Sequence, residues 1–107
     1  MADDVLAQLA ATIHARRSAS SDGSYTRQLL DAGPVKCAKK LGEEAVETVM
    51  AGAGESAERL KEEAADLLYH LLVLLEAREV AVADVLAVLE RRMGTSGLKE
   101  KAERGKR

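Results

Sequence analysis

Phenylalanine and tryptophan are absent from this 107-residue sequence, and Tyr25 and Tyr69 are its only tyrosines. A core without large rings must come mainly from Ala, Val and Leu. With 47% hydrophobic residues and a single proline, that composition favours helices packed on helices over stacked strands. Cysteine is almost absent too: Cys37 stands alone, which excludes an internal disulfide and suits a reducing cytoplasm. No apolar run reaches the ~18 residues of a membrane-spanning helix, since Tyr69 and His70 interrupt Leu67 to Leu75. Asp3 and Asp4 stand where an export signal would carry positive charge, so the expected location is cytoplasmic, with no membrane partner.

The length fits one domain with a modest stability margin, taken as residues 1–94 with a basic tail over 95–107. The net charge of −2 conceals a strong asymmetry. Between Glu43 and Asp66 lie eight acidic residues against Arg59 and Lys61, while Lys36, Lys39 and Lys40 sit just upstream. From Lys99 to Arg107 five basic residues face two acidic ones. Adjacent acidic and basic patches suit a site that holds both metal cations and phosphate, although solvated helix faces would explain any one cluster.

Five helical segments and no strand can be read along the chain. The first runs from about Asp3 to Arg16, with Val5, Leu6, Leu9 and Ile13 on one face. Ser18 to Ser24 reads as a loop, and Ser24 suits the N-cap of a short helix that Gly33 ends. Pro34 suits the first turn of a third helix, expected to stop near Ala51 at the Gly52-Ala53-Gly54 break. The fourth runs from about Ser56 to Arg78, with Leu60, Ala64, Leu67, Leu71 and Leu74 as its central stripe and Leu68, Leu72 and Leu75 widening it. A fifth, Val82 to Met93, turns Val85, Leu86 and Leu89 inward. The fold class is therefore all-α, a bundle of four to five helices. One chain offers too few helices to cover both flanks of the fourth, so the bundle is expected to be completed in a homodimer.

Carboxylates concentrate on the third and fourth helices. Glu44 and Glu47 share a face, with Glu43 one turn from Glu47, and Glu63 pairs with Asp66. A short turn joins the two helices, which favours antiparallel packing and allows the pairs to converge. Carboxylates aimed at one point repel unless cations sit between them, and hard oxygen ligands select Mg²⁺ or Mn²⁺. Asp66 interrupts an Ala- and Leu-rich stretch where an apolar residue would be cheaper to bury.

Gly23-Ser24-Tyr25-Thr26, Leu29-Leu30 and Gly33 lead into Lys36 and then Lys39-Lys40-Leu41-Gly42-Glu43-Glu44-Ala45, with Glu47 after it. Glu63-Ala64-Ala65-Asp66-Leu67-Leu68-Tyr69-His70-Leu71-Leu72 follows. In order and spacing this resembles the phosphoribosyl-ATP pyrophosphohydrolases, of the all-α nucleotide pyrophosphohydrolase superfamily, over roughly Leu6 to Arg92. The acidic pairs identify only the superfamily; the Gly-Ser-Tyr-Thr turn and the Lys-Lys-x-Gly-Glu-Glu run are more specific.

The resemblance implies Glu44, Glu47, Glu63 and Asp66 as Mg²⁺ ligands, and Glu43 as a further ligand or the acid that orients water. It implies Lys36, Lys39 and Lys40 on the triphosphate, and Ser24, Tyr25, Thr26 and His70 toward the nucleotide substrate. Structural readings stand beside these: Ser24 as a cap, Tyr25 as a core residue, His70 as a hydrogen-bonded core histidine, Cys37 as packing. The implied reaction is attack of water on the α-phosphate of phosphoribosyl-ATP. Its products are phosphoribosyl-AMP and pyrophosphate. Ser20-Ser21-Asp22 stands where the family often has a proline, which leaves the conformation of that loop open. The Cys and His set of a fused cyclohydrolase is absent, so the next step is expected to belong to a separate protein. Two rivals stay open: a house-cleaning nucleoside triphosphate pyrophosphohydrolase, and a non-catalytic helical dimer. A nucleic-acid partner is not expected, because the basic tail is short and the tyrosines lie apart from it.

Overall fold

The computed structural model describes residues 5–94, 101 and 104–105, and among them there is no strand. Helix α1 spans Val5–Ala15, so the expected start at Asp3 lies outside the described residues. The chain then makes two short 3₁₀ turns, Arg16–Ser18 and Ser21–Gly23, where the Ser- and Gly-rich composition reads as loop. Arg27 ties this proline-free connection down. Its Nη1 donates to the carbonyls of Arg17 and Ala19, both at 2.7 Å, and its Nε to Asp31 at 2.8 Å.

Ser24 caps helix α2, Tyr25–Ala32, by accepting from the Arg27 amide at 3.1 Å. Gly33 then serves two helices at once. Its amide donates to the carbonyls of Leu29 and Leu30, and its φ of 97° lets the chain turn straight into Pro34. Nothing lies within 4 Å of where a Cβ would sit, so the demand for glycine is purely a backbone one. Gly33→Ala should therefore destabilise the fold by about 1–3 kcal/mol, read from urea unfolding. A change under about 0.5 kcal/mol, the range of ordinary surface substitutions, would contradict that.

Helix α3 spans Pro34–Gly54 and α4 spans Ala57–Ala77. The expected break at Gly52 does not occur, and α3 runs on through Gly54. A Cβ placed on Gly52 would stand 3.7 Å from Leu60 Cδ1, an ordinary packing distance, so nothing at this turn requires the glycine. The stop comes from extended backbone at Glu55 and Ser56, where Ser56 accepts from the Arg59 amide at 3.2 Å. Contacts at 48–63 and 44–66 make α3 and α4 an antiparallel hairpin, the most extensive packing among the described residues.

Helix α5, Val82–Met93, lies against α1. Its expected inward face is a correction: Val85 is half-buried, but Leu86 and Leu89 are exposed, because α1 covers only part of it.

The core is Ile13, Leu29, Cys37, Leu72 and Val73, flanked by Leu6, Leu9, Tyr69 and Leu75. It sits at the end of the hairpin away from its turn, where α1 and α2 pack over it. Burial of side chains such as Val73, which has 0% exposure, contributes about 1.5–3 kcal/mol each. The Cys37 thiol donates to the Leu29 carbonyl at 3.3 Å, and burial pushes its pKa up, so it acts in packing. Glu76, near the end of α4, binds His14 and Arg17 and anchors α1. No helix among the described residues is long and apolar enough to cross a membrane.

Candidate active site

The α3–α4 hairpin brings the predicted acids together. One carboxylate oxygen from each of Glu44, Glu63 and Asp66 lies within 4.8 Å of the others. Glu47 joins them, its carboxyl beside those of Glu44 and Glu63. The register that makes this possible is held partly by Thr48, whose Oγ1 lies 2.8 Å from the Glu44 carbonyl and 3.1 Å from that of Glu63. A residue with no apparent chemistry thus stitches the two acidic helices at the level of the site.

Glu63 is the deeply placed acid, at 4% exposure, whereas Asp66 is exposed. The burial expected for Asp66 from its apolar neighbours is therefore corrected. Asp66 shares its face of α4 with Glu63 but lies at the open rim of the group, whereas Glu63, one turn earlier, is packed against α3. Burial first, and then the adjacent Glu47 carboxyl, push Glu44 and Glu63 above the ordinary carboxylate range. Glu44 Oε2 and Glu63 Oε2 are buried with no hydrogen-bond partner. Buried carboxylate oxygens without donors are costly. An all-oxygen set of converging carboxylates, two of them with a buried oxygen that has no partner, fits a small hard divalent cation better than it fits zinc.

Glu43 is not in this group. It is exposed and accepts from Lys40 Nζ at 3.2 Å, and that bond holds its carboxyl below the usual range. Lys40 is half-buried at the same rim, while Lys36 and Lys39 are exposed, close enough for their charges to act on Glu43.

His70 lies on the stripe of α4 that carries Glu63 and Asp66. Its Nδ1 is 3.0 Å from the Asp66 carbonyl. A carbonyl can only accept, so Nδ1 carries a proton, and in the neutral ring Nε2 is then the acceptor. That nitrogen is buried without a partner, in a side chain with 7% exposure. The Tyr69 and Tyr25 rings meet His70 edge-on, with centroids 5.0 and 6.2 Å away.

The Gly-Ser-Tyr-Thr turn divides its labour. Ser24 is the α2 cap, and Thr26 Oγ1 shares a hydrogen bond with Tyr69 Oη at 2.5 Å, fixing α2 to α4. Tyr25 is half exposed beside His70 and close enough to Lys40 to act on its charge. Sequence reasoning missed Thr48 and Arg59. Arg59 lies one turn before Glu63, and its spacing of four was the available signal, hidden because an exposed helical arginine is ordinary.

Residues 6–93 match the family model described as phosphoribosyl-ATP pyrophosphohydrolase. The chain is 57% identical over 101 residues to a phosphoribosyl-ATP pyrophosphatase of Cereibacter sphaeroides, covering 94% of this chain and 98% of that one. It is 58% identical over 100 residues to the protein of that name in Dinoroseobacter shibae, with the same coverage. For its counterpart in Ruegeria pomeroyi the figures are 52% over 102 residues, 95% of this chain and 97% of that one. Across nearly its whole length, the chain belongs to the phosphoribosyl-ATP pyrophosphohydrolase family.

Proposed function

We propose that this chain hydrolyses phosphoribosyl-ATP to phosphoribosyl-AMP and pyrophosphate in histidine biosynthesis, working in the cytoplasm with Mg²⁺ (or Mn²⁺). Residues 1–94 form the catalytic domain and 95–107 a basic tail, most of which lies outside the described residues. The observation that carries the reading is the pair of buried, unpartnered oxygens on Glu44 and Glu63, converging with Asp66. Glu44, Glu47, Glu63 and Asp66 would hold the cation. When bound, it supplies charge neutralisation on the phosphates and a more acidic water.

The remaining residues bind and orient. Lys40, with Lys36 and Lys39 beyond it, meets charge that builds on the leaving pyrophosphate. Glu43, kept ionised by Lys40, accepts a proton-bearing water at the rim. His70 Nε2 offers an acceptor to a substrate hydroxyl or amino group, and Tyr25 lines the same end. In ¹⁸O-water the label should enter phosphoribosyl-AMP and stay out of pyrophosphate. Turnover of phosphoribosyl-ATP should also exceed that of dCTP and dUTP. Label in pyrophosphate would refute attack at the α-phosphorus, and preference for the deoxynucleotides would make this a house-cleaning enzyme.

A homodimer belongs to the same proposal. Val46, Val49 and Met50 on α3, Leu60 and Leu68 on α4, and Leu86, Leu89 and Met93 on α5 are all exposed, Val49 at 69%. So many exposed apolar side chains support a second copy of the chain as their cover. Light scattering at micromolar concentration should give twice the chain mass of 11.4 kDa, and a monomer would refute the dimer.

A further inference from the structure

Along α4 the site residues form one stripe, because Arg59, Glu63, Asp66 and His70 are spaced by four, three and four. Lys40 and His70 lie at one end of the acidic group. Arg59 lies at the other, beside the α3–α4 turn and roughly 10 Å along the helix from Asp66 at 1.5 Å per residue. The phosphate-facing lysines therefore have a cationic counterpart across the acids.

Arg59 is loosely held. Its Nε is 3.4 Å from Glu55 Oε1, its Nη1 3.6 Å from Glu62 Oε2 and its Nη2 3.7 Å from Glu63 Oε1. None of these is the paired, short geometry that commits a guanidinium to one carboxylate. The side chain is 52% exposed while its Glu63 partner is buried. Exposed, shared ion pairs of this kind contribute little to stability, so Arg59 can leave Glu63 at small cost. A planar fork of donors is also better matched to phosphate than to three carboxylates at once.

We propose that Arg59 is a phosphate-binding residue held in reserve: it rests on Glu63 as an internal counter-ion and transfers to the phosphate chain of the substrate, on the side across the acids from Lys40, once a divalent cation takes that carboxylate. The inference rests on the cation reading of the acidic group. Arg59 then competes with the cation and cooperates with the phosphate chain. Those two roles make it separable from a plain surface ion pair, because its removal must move the two affinities in opposite directions.

Calorimetric titration tests this on the whole chain, using Mg²⁺ alone and then pyrophosphate at saturating Mg²⁺. Arg59→Ala should bind Mg²⁺ about threefold more tightly, the scale of an exposed ion pair. It should bind pyrophosphate about tenfold or more weakly, the scale of a charge-assisted hydrogen bond. Arg59→Lys keeps the charge without the fork. It should leave Mg²⁺ affinity near wild type and regain only part of the pyrophosphate affinity. If Arg59→Ala shifts neither affinity, only one, or both in the same direction, Arg59 is a surface ion pair and the proposal fails while the cation site stands. If the wild-type protein takes up no Mg²⁺, the cation reading fails and this proposal falls with it.

Discussion

Replacing Glu63 by Gln should reduce turnover on the order of a thousandfold, above the roughly 10- to 100-fold cost of losing an outer-shell partner of a metal site. Glu63 is the buried member of the acidic group, and one of its oxygens has no donor within the protein. A neutral amide of the same shape withdraws one cation-binding charge and leaves the helices undisturbed. Asp66→Asn and Glu47→Gln should act in the same way from the exposed side of the group. The decisive companion measurement is stability in chelator. Removing a buried carboxylate that faces two others relieves repulsion and desolvation, so metal-free Glu63→Gln should be as stable as wild type or more so. Turnover within threefold of wild type would remove Glu63 from the chemistry. A large loss of metal-free stability would make it a structural acid instead.

Adding Mg²⁺ should raise the melting temperature strongly at neutral pH and by less as the pH falls toward the ordinary carboxylate value. Glu44 and Glu63 have folded-state pKa values raised above the ordinary 4.5. For an acid shifted in that direction the folded state binds protons more tightly than the unfolded chain. Its burden on stability is therefore absent below the ordinary value and grows as pH rises through the folded value. Above that window the carboxylates are ionised, mutually repelling and ready for a cation; below it, protons occupy them. At a hundredfold excess over Kd a ligand of the folded state adds about 2.7 kcal/mol, roughly 10–20 °C for a domain of this size. Glu76 and Glu43, both shifted downward, lose their stabilising effect as pH falls, so the comparison must be with and without Mg²⁺ at each pH. Equal gains at pH 5 and pH 8 would disprove the linkage.

The helices were legible because their ends carry strong local chemistry. Ser24 and Ser56 each accept from an amide three residues on, and Gly33 adopts a backbone angle other residues avoid, just before Pro34. Where local chemistry was ambiguous, reading by pattern went astray. Gly52 and Gly54 look like a break but lie within a helix held by its neighbour. Leu86 and Leu89 look like core but are exposed, since an apolar face names no partner.

The same division runs through the site. Helical spacing by itself determined that Glu44 pairs with Glu47 and Glu63 with Asp66, and motif order determined the family. Which of these acids is buried depended on tertiary structure alone. Periodicity specifies angles within one helix, whereas the rotation of α3 against α4 is set by packing. The core around Leu72 and Val73 and the Thr48 hydroxyl settle that rotation. They turn Glu63 toward α3, leave Asp66 and Arg59 at the rim, and make an acidic sequence into a site with an inside and an outside.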